Sequence, residues 1–173
     1  MADASPSLTQ HVQPIDAGAP VMAAAFLDGA PTLALVDGGV LIGEPGAARR
    51  VEAHPGAGIL VATADGATLL TGGDDGRVVA TGASAAPTQI ADEKGRWIDA
   101  VALRGDAFAW AAGKHARVRD GAGTVKSFAA PTTVRGLSFL PKGYRLALAH
   151  YNGVSLWFPN AAAEPTLLPW TAR

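Results

Sequence analysis

Cysteine is absent from this chain of 173 residues, which excludes disulfide bonds and thiolate metal ligands. Basic and acidic residues nearly balance, with a formal net charge of −1, so we expect no general attraction to nucleic acid or to an anionic membrane. No apolar run is long enough to span a bilayer, and residues 1–6 lack the basic and apolar parts of a signal peptide. We therefore expect a soluble cytoplasmic protein.

Long amphipathic helices are also missing from the pattern. No segment keeps apolar residues at i, i+3, i+4 and i+7 for several turns. Glycine and proline are instead abundant, with 21 and 12 residues. This composition is typical of an all-β chain with many turns.

The chain repeats one hairpin pattern four times. Its clearest copy is Thr68–Val79, in which two apolar strands flank the turn sequence Gly-Gly-Asp-Asp-Gly. The four copies begin at intervals of 36, 39 and 38 residues, at Thr32, Thr68, Ala107 and Arg145. An apolar run precedes each hairpin and a short strand follows it, which makes four strands per unit. A period of about 38 residues is close to that of propeller blades, roughly 40–45 residues.

These units predict an all-β fold, a β-propeller of four-stranded antiparallel blades. The four predicted blades are residues 20–54, 57–92, 95–129 and 132–170. Residues 1–7 are predicted to be a disordered tail, and residues 8–13 an outer strand that closes another blade. Residues 171–173 then lead into a missing blade.

The ring of blades is predicted to be incomplete. Residues 166–170 supply the outer strand of the fourth blade, which leaves the candidate strand at 8–13 without a place in a four-blade ring. We expect the missing blades to come from a longer chain of about seven or eight blades or from a second subunit. Two identical copies are disfavoured, because each junction would hold two candidates for one strand position.

The hairpin Leu70–Val78, the Asp65-Gly66 turn before it and the segment Val154–Trp157 resemble WD-repeat propeller units. The resemblance implies a hydrogen-bonded network of a His, a Ser or Thr, an Asp and a Trp in each blade. The residues that match this network are His54, Thr71 and Asp75 in the second blade and Asn152 and Trp157 in the fourth. Thr81 stands about where the second blade would carry its Trp.

His54, Thr71 and Asp75 also have the residue types of a Ser/His/Asp catalytic triad. The hydroxyl belongs to a threonine on an interior strand, without the strained turn that exposes a nucleophile, so we predict a structural role and no catalytic residue. The sequence has no calcium loop, dinucleotide fingerprint, phosphate loop or zinc spacing. We therefore expect no cofactor and no metal.

One cluster of basic residues surrounds the third hairpin and comprises Lys114, His115, Arg117 and Arg119. It predicts either a solvated strand face or a docking surface for an acidic protein partner. Nucleic acid is an unlikely ligand, because the chain as a whole is not basic and few aromatic residues lie between the charges.

Two functions remain open at this stage. The resemblance to WD-repeat proteins implies a scaffold that binds other proteins and has no catalysis of its own. The alternative is a ligand-binding or enzymatic propeller with a site at the mouth of the central channel.

Overall fold

The computed structural model of the protein describes residues 8–170. Sixteen strands in this range form four antiparallel sheets of four strands each, and the range contains no α-helix. In every sheet the strands lie side by side in chain order, so each sheet is a meander with short hairpin connections. The predicted all-β propeller architecture is confirmed.

The sheets are the blades of the propeller. Blade 1 contains β1 (Val21–Leu27), β2 (Ala30–Leu35), β3 (Gly39–Ile42) and β4 (Arg49–Glu52). Blade 2 contains β5 (Ile59–Ala64), β6 (Thr68–Gly73), β7 (Arg77–Gly82) and β8 (Thr88–Asp92). Blade 3 contains β9 (Ala100–Arg104), β10 (Ala107–Ala112), β11 (His115–Arg119) and β12 (Val125–Ala129). Blade 4 contains β13 (Val134–Phe139), β14 (Leu146–His150), β15 (Gly153–Trp157) and β16 (Thr166–Pro169).

Glycine makes the tight turns of the hairpins possible. Gly38, between β2 and β3, has a φ of 93°, a backbone conformation that residues with a Cβ rarely adopt. A Cβ at Gly38 would also collide with the backbone carbonyl oxygens of His54 and Ala57. The turn is therefore restricted to glycine by its backbone conformation and by the close passage of the chain that leads to blade 2.

The core lies between the blades, because each sheet buries apolar side chains on both faces. We call the side of a blade that faces the next blade in the chain its front face and the opposite side its rear face. Three buried clusters fill the three junctions. Between blades 3 and 4, for example, the front face supplies Ala109, Ala111 and Val118 and the rear face supplies Leu146 and Leu148.

The ring of four blades is open, as predicted. The innermost strands β1, β5, β9 and β13 pack against one another in sequence, whereas among residues 8–170 β1 and β13 form no such extensive contact. The rear face of blade 1 and the front face of blade 4 consequently have no neighbouring blade among residues 8–170.

The predicted outer strand at residues 8–13 is wrong. Leu8–His11 forms a short 3₁₀ helix, and the amide of Val12 donates to the carbonyl oxygen of Thr9. A strand needs a neighbouring edge to satisfy its backbone groups, whereas a 3₁₀ turn satisfies them locally. The predicted tail at 1–7 and the lead-in at 171–173 lie outside the described residues.

Candidate functional site

A buried chain of hydrogen bonds crosses blade 2. Nδ1 of His54 lies 3.1 Å from Oδ1 of Asp75, and Nε2 lies 2.9 Å from Oγ1 of Thr71. Because an ionised carboxylate can only accept, His54 donates to Asp75 through Nδ1. Oγ1 of Thr71 also lies 3.2 Å from the carbonyl oxygen of Val79. The imidazole therefore connects the hairpin turn with the two middle strands of the blade.

Each member of this chain is positioned by a different element. His54 follows β4 in the connection from blade 1, Thr71 belongs to β6, and Asp75 lies in the turn between β6 and β7. Asp75 also accepts from the backbone amide of Arg77, at 2.9 Å. Gly73 leaves space for the ring, because a Cβ at that position would overlap Nδ1 of His54. The network thus joins the edge of one blade to the connection that leads into it.

The order of these groups is that of a catalytic triad, in which a carboxylate orients a histidine that contacts a hydroxyl. The similarity does not extend to solvent access, since His54 and Thr71 are both 0% exposed. A nucleophile must reach its substrate, and this hydroxyl is sealed between strands. The arrangement can hold the blade together but offers no surface for a reaction.

Asn152 and Trp157, the predicted counterparts in blade 4, do not form such a chain. The ring of Trp157 is buried and packs on Phe128 of blade 3, with 5.9 Å between the ring centroids. Asn152 accepts a hydrogen bond through its backbone carbonyl from the amide of Trp170. Within residues 8–170 no hydrogen bond joins Asn152 to Trp157.

Blade 4 instead contains a polar pair that the sequence analysis missed. Nε2 of His150 lies 2.9 Å from Oγ of Ser155, and both residues are buried. Among the described residues, Nδ1 of His150 has no partner. His150 stands at the end of β14, so the imidazole comes from the hairpin itself and not from the preceding connection. A histidine directly before the Tyr-Asn-Gly turn was the available signal.

The basic residues of blade 3 do not form one uniform patch. Lys114 is exposed in the turn, whereas His115, Arg117 and Arg119 alternate with buried residues along β11. Arg117 forms an ion pair with Glu93, whose side chain is only 8% exposed. The same carboxylate accepts from the indole N–H of Trp110 at 2.7 Å. Arg117 is therefore part of a clamp between blades 2 and 3.

A groove of about 580 Å³ runs beside this clamp. It is lined by the outer strand of blade 2 and by the clamp residues, including Ile90, Asp92, Glu93, Arg96 and Trp110. Arg96 donates to the carbonyl oxygen of Ala112 at 3.2 Å. Arg96 and Arg117, two of the cations that line the groove, thus already have partners in the protein.

An exposed ionic cluster lies on the rear side of blade 1. Arg50 contacts Asp37 at 3.0 Å and Glu52 at 2.8 Å. Hydrogen bonding from Arg50, and then from the amide of Gly39, lowers the pKa of Asp37. The two carboxylates, Glu52 first, raise the pKa of Arg50. Asp37 and Arg50 therefore remain an ion pair at neutral pH, beside the apolar part of this face.

The front face of blade 4 leaves apolar positions partly uncovered. Pairing across the hairpins makes Val40, Val78, Ala116 and Val154 equivalent in the four blades. The first three are at most 1% exposed, while Val154 is half-buried. Its neighbour on the outer strand, Leu168, is 50% exposed. This face has the residues of a blade junction, but no blade of the described range 8–170 packs against it.

The rear face of blade 1 is uncovered in the same way. Pairing makes Phe26 equivalent to Ala64, Leu103 and Phe139 in the other blades. Those three pack against the cluster of the preceding junction, whereas Phe26 is 65% exposed. Leu33, beside it on β2, is half-buried. Large exposed apolar surfaces of this kind mark sites of protein association.

Comparison with solved structures places this fold among known propellers. The computationally designed Ika4 protein superposes with a TM-score of 0.65 at 17% identity, over 81% of this chain and 91% of Ika4. A chain of the Mitotic Checkpoint Complex superposes with a TM-score of 0.65 at 18% identity, over 79% of this chain and 49% of that chain. The Neurospora crassa Pan2 WD40 domain gives a TM-score of 0.60 at 18% identity, over 87% and 50%.

The fold is a WD-like β-propeller. This unit spans nearly the whole of Ika4 but only half of the other two chains. The sequence matches no protein-family model and no curated protein, so the likeness concerns the fold alone.

Residues 8–170 contain no helix that is long and apolar enough to cross a membrane. The same residues contain no group of three or more His, Cys, Asp or Glu side chains that could hold a metal ion.

Proposed function

We propose that this protein is a propeller scaffold that binds other proteins and carries out no catalysis of its own. The observation that carries the proposal is the pair of open blade faces, on which Phe26 and Leu168 are 65% and 50% exposed. Burying apolar surface is the main driving force of most protein association. The partner protein, or further blades from a longer chain or a second subunit, would cover these faces.

The fold supports this role by analogy. One of the similar chains belongs to a multi-protein assembly, the Mitotic Checkpoint Complex. A rigid stack of blades also presents broad surfaces that do not need to be ordered on binding, which lowers the entropic cost of association. A cytoplasmic location stays a prediction from the sequence.

The strongest candidate for chemistry, the chain of His54, Thr71 and Asp75, supports a structural role because its hydroxyl is fully buried. In the groove between blades 2 and 3, Arg117 is paired with Glu93 and Arg96 with a backbone carbonyl oxygen. These observations favour the scaffold over an enzymatic propeller.

The rim of blade 3 is the second surface that we propose for partners, with Lys114 and Arg119 as its test residues. Arg117 is unsuitable, because reversing its charge would also break the ion pair with Glu93. Affinity capture with quantitative mass spectrometry would compare the wild-type chain with Phe26→Asp and with Lys114→Glu/Arg119→Glu. We expect a defined protein to be lost with at least one variant, at unchanged stability. Identical capture by all three chains would contradict the proposal.

A further inference from the structure

The two open faces have complementary side-chain sizes. At the junction of blades 3 and 4, the small residues Ala109 and Ala111 of the front face lie in one cluster with the large Leu146 and Leu148 of the rear face. Strand pairing puts a small residue at the position of Ala111 in every blade, namely Ala34, Gly72, Ala111 and Ala149. Of these four residues, Ala149 is the one that has no rear face against it within residues 8–170.

The rear face of blade 1 has the large side chains that such a front face accommodates. Pairing places Leu33 at the position of Leu148 and Phe26 at that of Phe139. Leu148 and Phe139 belong to the packed junction of blades 3 and 4. The open front face of blade 4 and the open rear face of blade 1 therefore repeat the two sides of a junction that the chain already forms.

We propose that a second copy of this chain covers both open faces. Blade 4 of each copy packs on blade 1 of the other, and the two equivalent junctions close a ring of eight blades. Head-to-tail contacts between copies give a closed ring when the rotation between copies closes. This inference rests on the proposed function, in which protein covers the open faces.

The sizes of propellers with a similar fold agree with a ring of more than four blades. The four-blade unit spans 49% of the matched chain of the Mitotic Checkpoint Complex and 50% of the Pan2 WD40 chain. The matched blades, which are 79% and 87% of this chain, therefore correspond to about half of either chain. The match to 91% of Ika4 shows that a separate protein chain of about this extent also has this fold.

The sequence pattern disfavoured two identical copies, because each junction would hold two candidates for one outer-strand position. The 3₁₀ helix removes this conflict. The conflict required a strand at residues 8–13, which would compete with the outer strand of blade 4 at each junction. Leu8–His11 is helical, and β16 pairs with β15 as the outer strand of its own blade. Each junction then contains one outer strand only.

Sedimentation of the chain over a wide concentration range tests the assembly. We expect a discrete particle of twice the chain mass of 17.5 kDa, without further growth at high concentration. A monomer at all concentrations would overturn the proposal. An open polymer would also overturn it, because the junction would then form without closing.

Single-cysteine variants test the arrangement, since the chain has no cysteine of its own. A mixture of Ala149→Cys and Leu33→Cys chains should be joined by a short bismaleimide, whereas each variant alone should not. Val125→Cys, at a 51% exposed site on the outer strand of blade 3, is the matched control and should not link to Leu33→Cys. Links between identical variants would contradict the head-to-tail junction.

Two further variants, together with a control, test the second copy separately from the proposed function. Phe26→Asp and Leu168→Asp should convert the dimer to monomers, while Val125→Asp should leave the dimer intact. A monomeric wild-type chain whose partner capture is lost with Phe26→Asp would overturn the second copy and keep the scaffold. A dimer that captures no other protein would keep the second copy and remove the scaffold.

Discussion

His150 and Gly73 hold equivalent positions in blades 4 and 2, and a buried imidazole lies at each of them. Both end the second strand of their blade, opposite the irregular start of the innermost strand. In blade 2 the ring of His54 fills the space above Gly73, whereas in blade 4 the strand residue is itself the histidine. Two chain positions thus supply the same group at one point of the repeated architecture.

Gly73→Ala should destabilise the protein, because the new Cβ would overlap the imidazole of His54 and the carboxylate of Asp75. Displacing the ring breaks buried hydrogen bonds, and we expect a loss of about 1–3 kcal/mol in the free energy of unfolding. Urea denaturation measures this loss. Gly82→Ala is the matched control, since the nearest atom to its Cβ would be at 3.6 Å. Equal effects of the two substitutions would refute the packing role of Gly73.

Thr71 and Thr81 are both fully buried on adjacent strands of blade 2, and their hydroxyls differ in one respect. Oγ1 of Thr71 bonds to His54, whereas Oγ1 of Thr81 has no partner among the described residues. Replacing a hydroxyl by a methyl group keeps the shape of the side chain. Thr71→Val should therefore lower the free energy of unfolding by about 1–3 kcal/mol, because it leaves a buried imidazole nitrogen unpaired.

Thr81→Val provides the control for this pair. Removing an unpaired buried hydroxyl should leave stability unchanged or raise it by up to about 1 kcal/mol. Both variants are compared with the wild type by urea denaturation at one protein concentration. If Thr81→Val destabilises as much as Thr71→Val, the hydrogen bond to His54 is not the source of the effect.

The repeat made the fold predictable, because glycine-containing turns and apolar strands recur at a nearly constant interval. The repeat period also led to a wrong prediction, a strand at residues 8–13. The period alone does not show whether a neighbouring strand edge is available to pair with that segment. Asp75 and His54 could be found because they match a known pattern of residue types. His150 and Glu93 could not, because their roles depend on which strand end or neighbouring blade their side chains reach.

Arg50 should control the ionisation of Asp37. Its hydrogen bond favours the carboxylate form, so the pKa of Asp37 lies below the ordinary value for aspartate. The resulting contribution to stability is present above the unfolded-state pKa and is lost as the pH falls through the folded-state pKa. An NMR titration should show Arg50→Gln raising the pKa of Asp37 towards its ordinary value. Arg135→Gln, which removes an arginine paired with Asp99, should leave it unchanged.

Glu93→Ala should weaken the junction between blades 2 and 3. Its carboxylate accepts from the indole N–H of Trp110, a residue only 2% exposed, and pairs with Arg117. Truncation leaves a buried donor unsatisfied, so the free energy of unfolding should fall by about 1–3 kcal/mol. Glu93→Gln retains an acceptor and should have a smaller effect. Glu44→Ala, at an exposed turn of blade 1, should change little.

Because Arg117 belongs to this clamp and Lys114 does not, we expect their substitutions to differ in their effect on stability. Arg117→Ala should lower the free energy of unfolding, because it removes the charged partner of a carboxylate that is only 8% exposed. Lys114→Ala, in the exposed turn, should not. Urea denaturation of both variants decides whether Arg117 belongs to the clamp. Indistinguishable unfolding of the two variants would return Arg117 to the docking surface, since its ion pair would then add nothing to the stability of the junction.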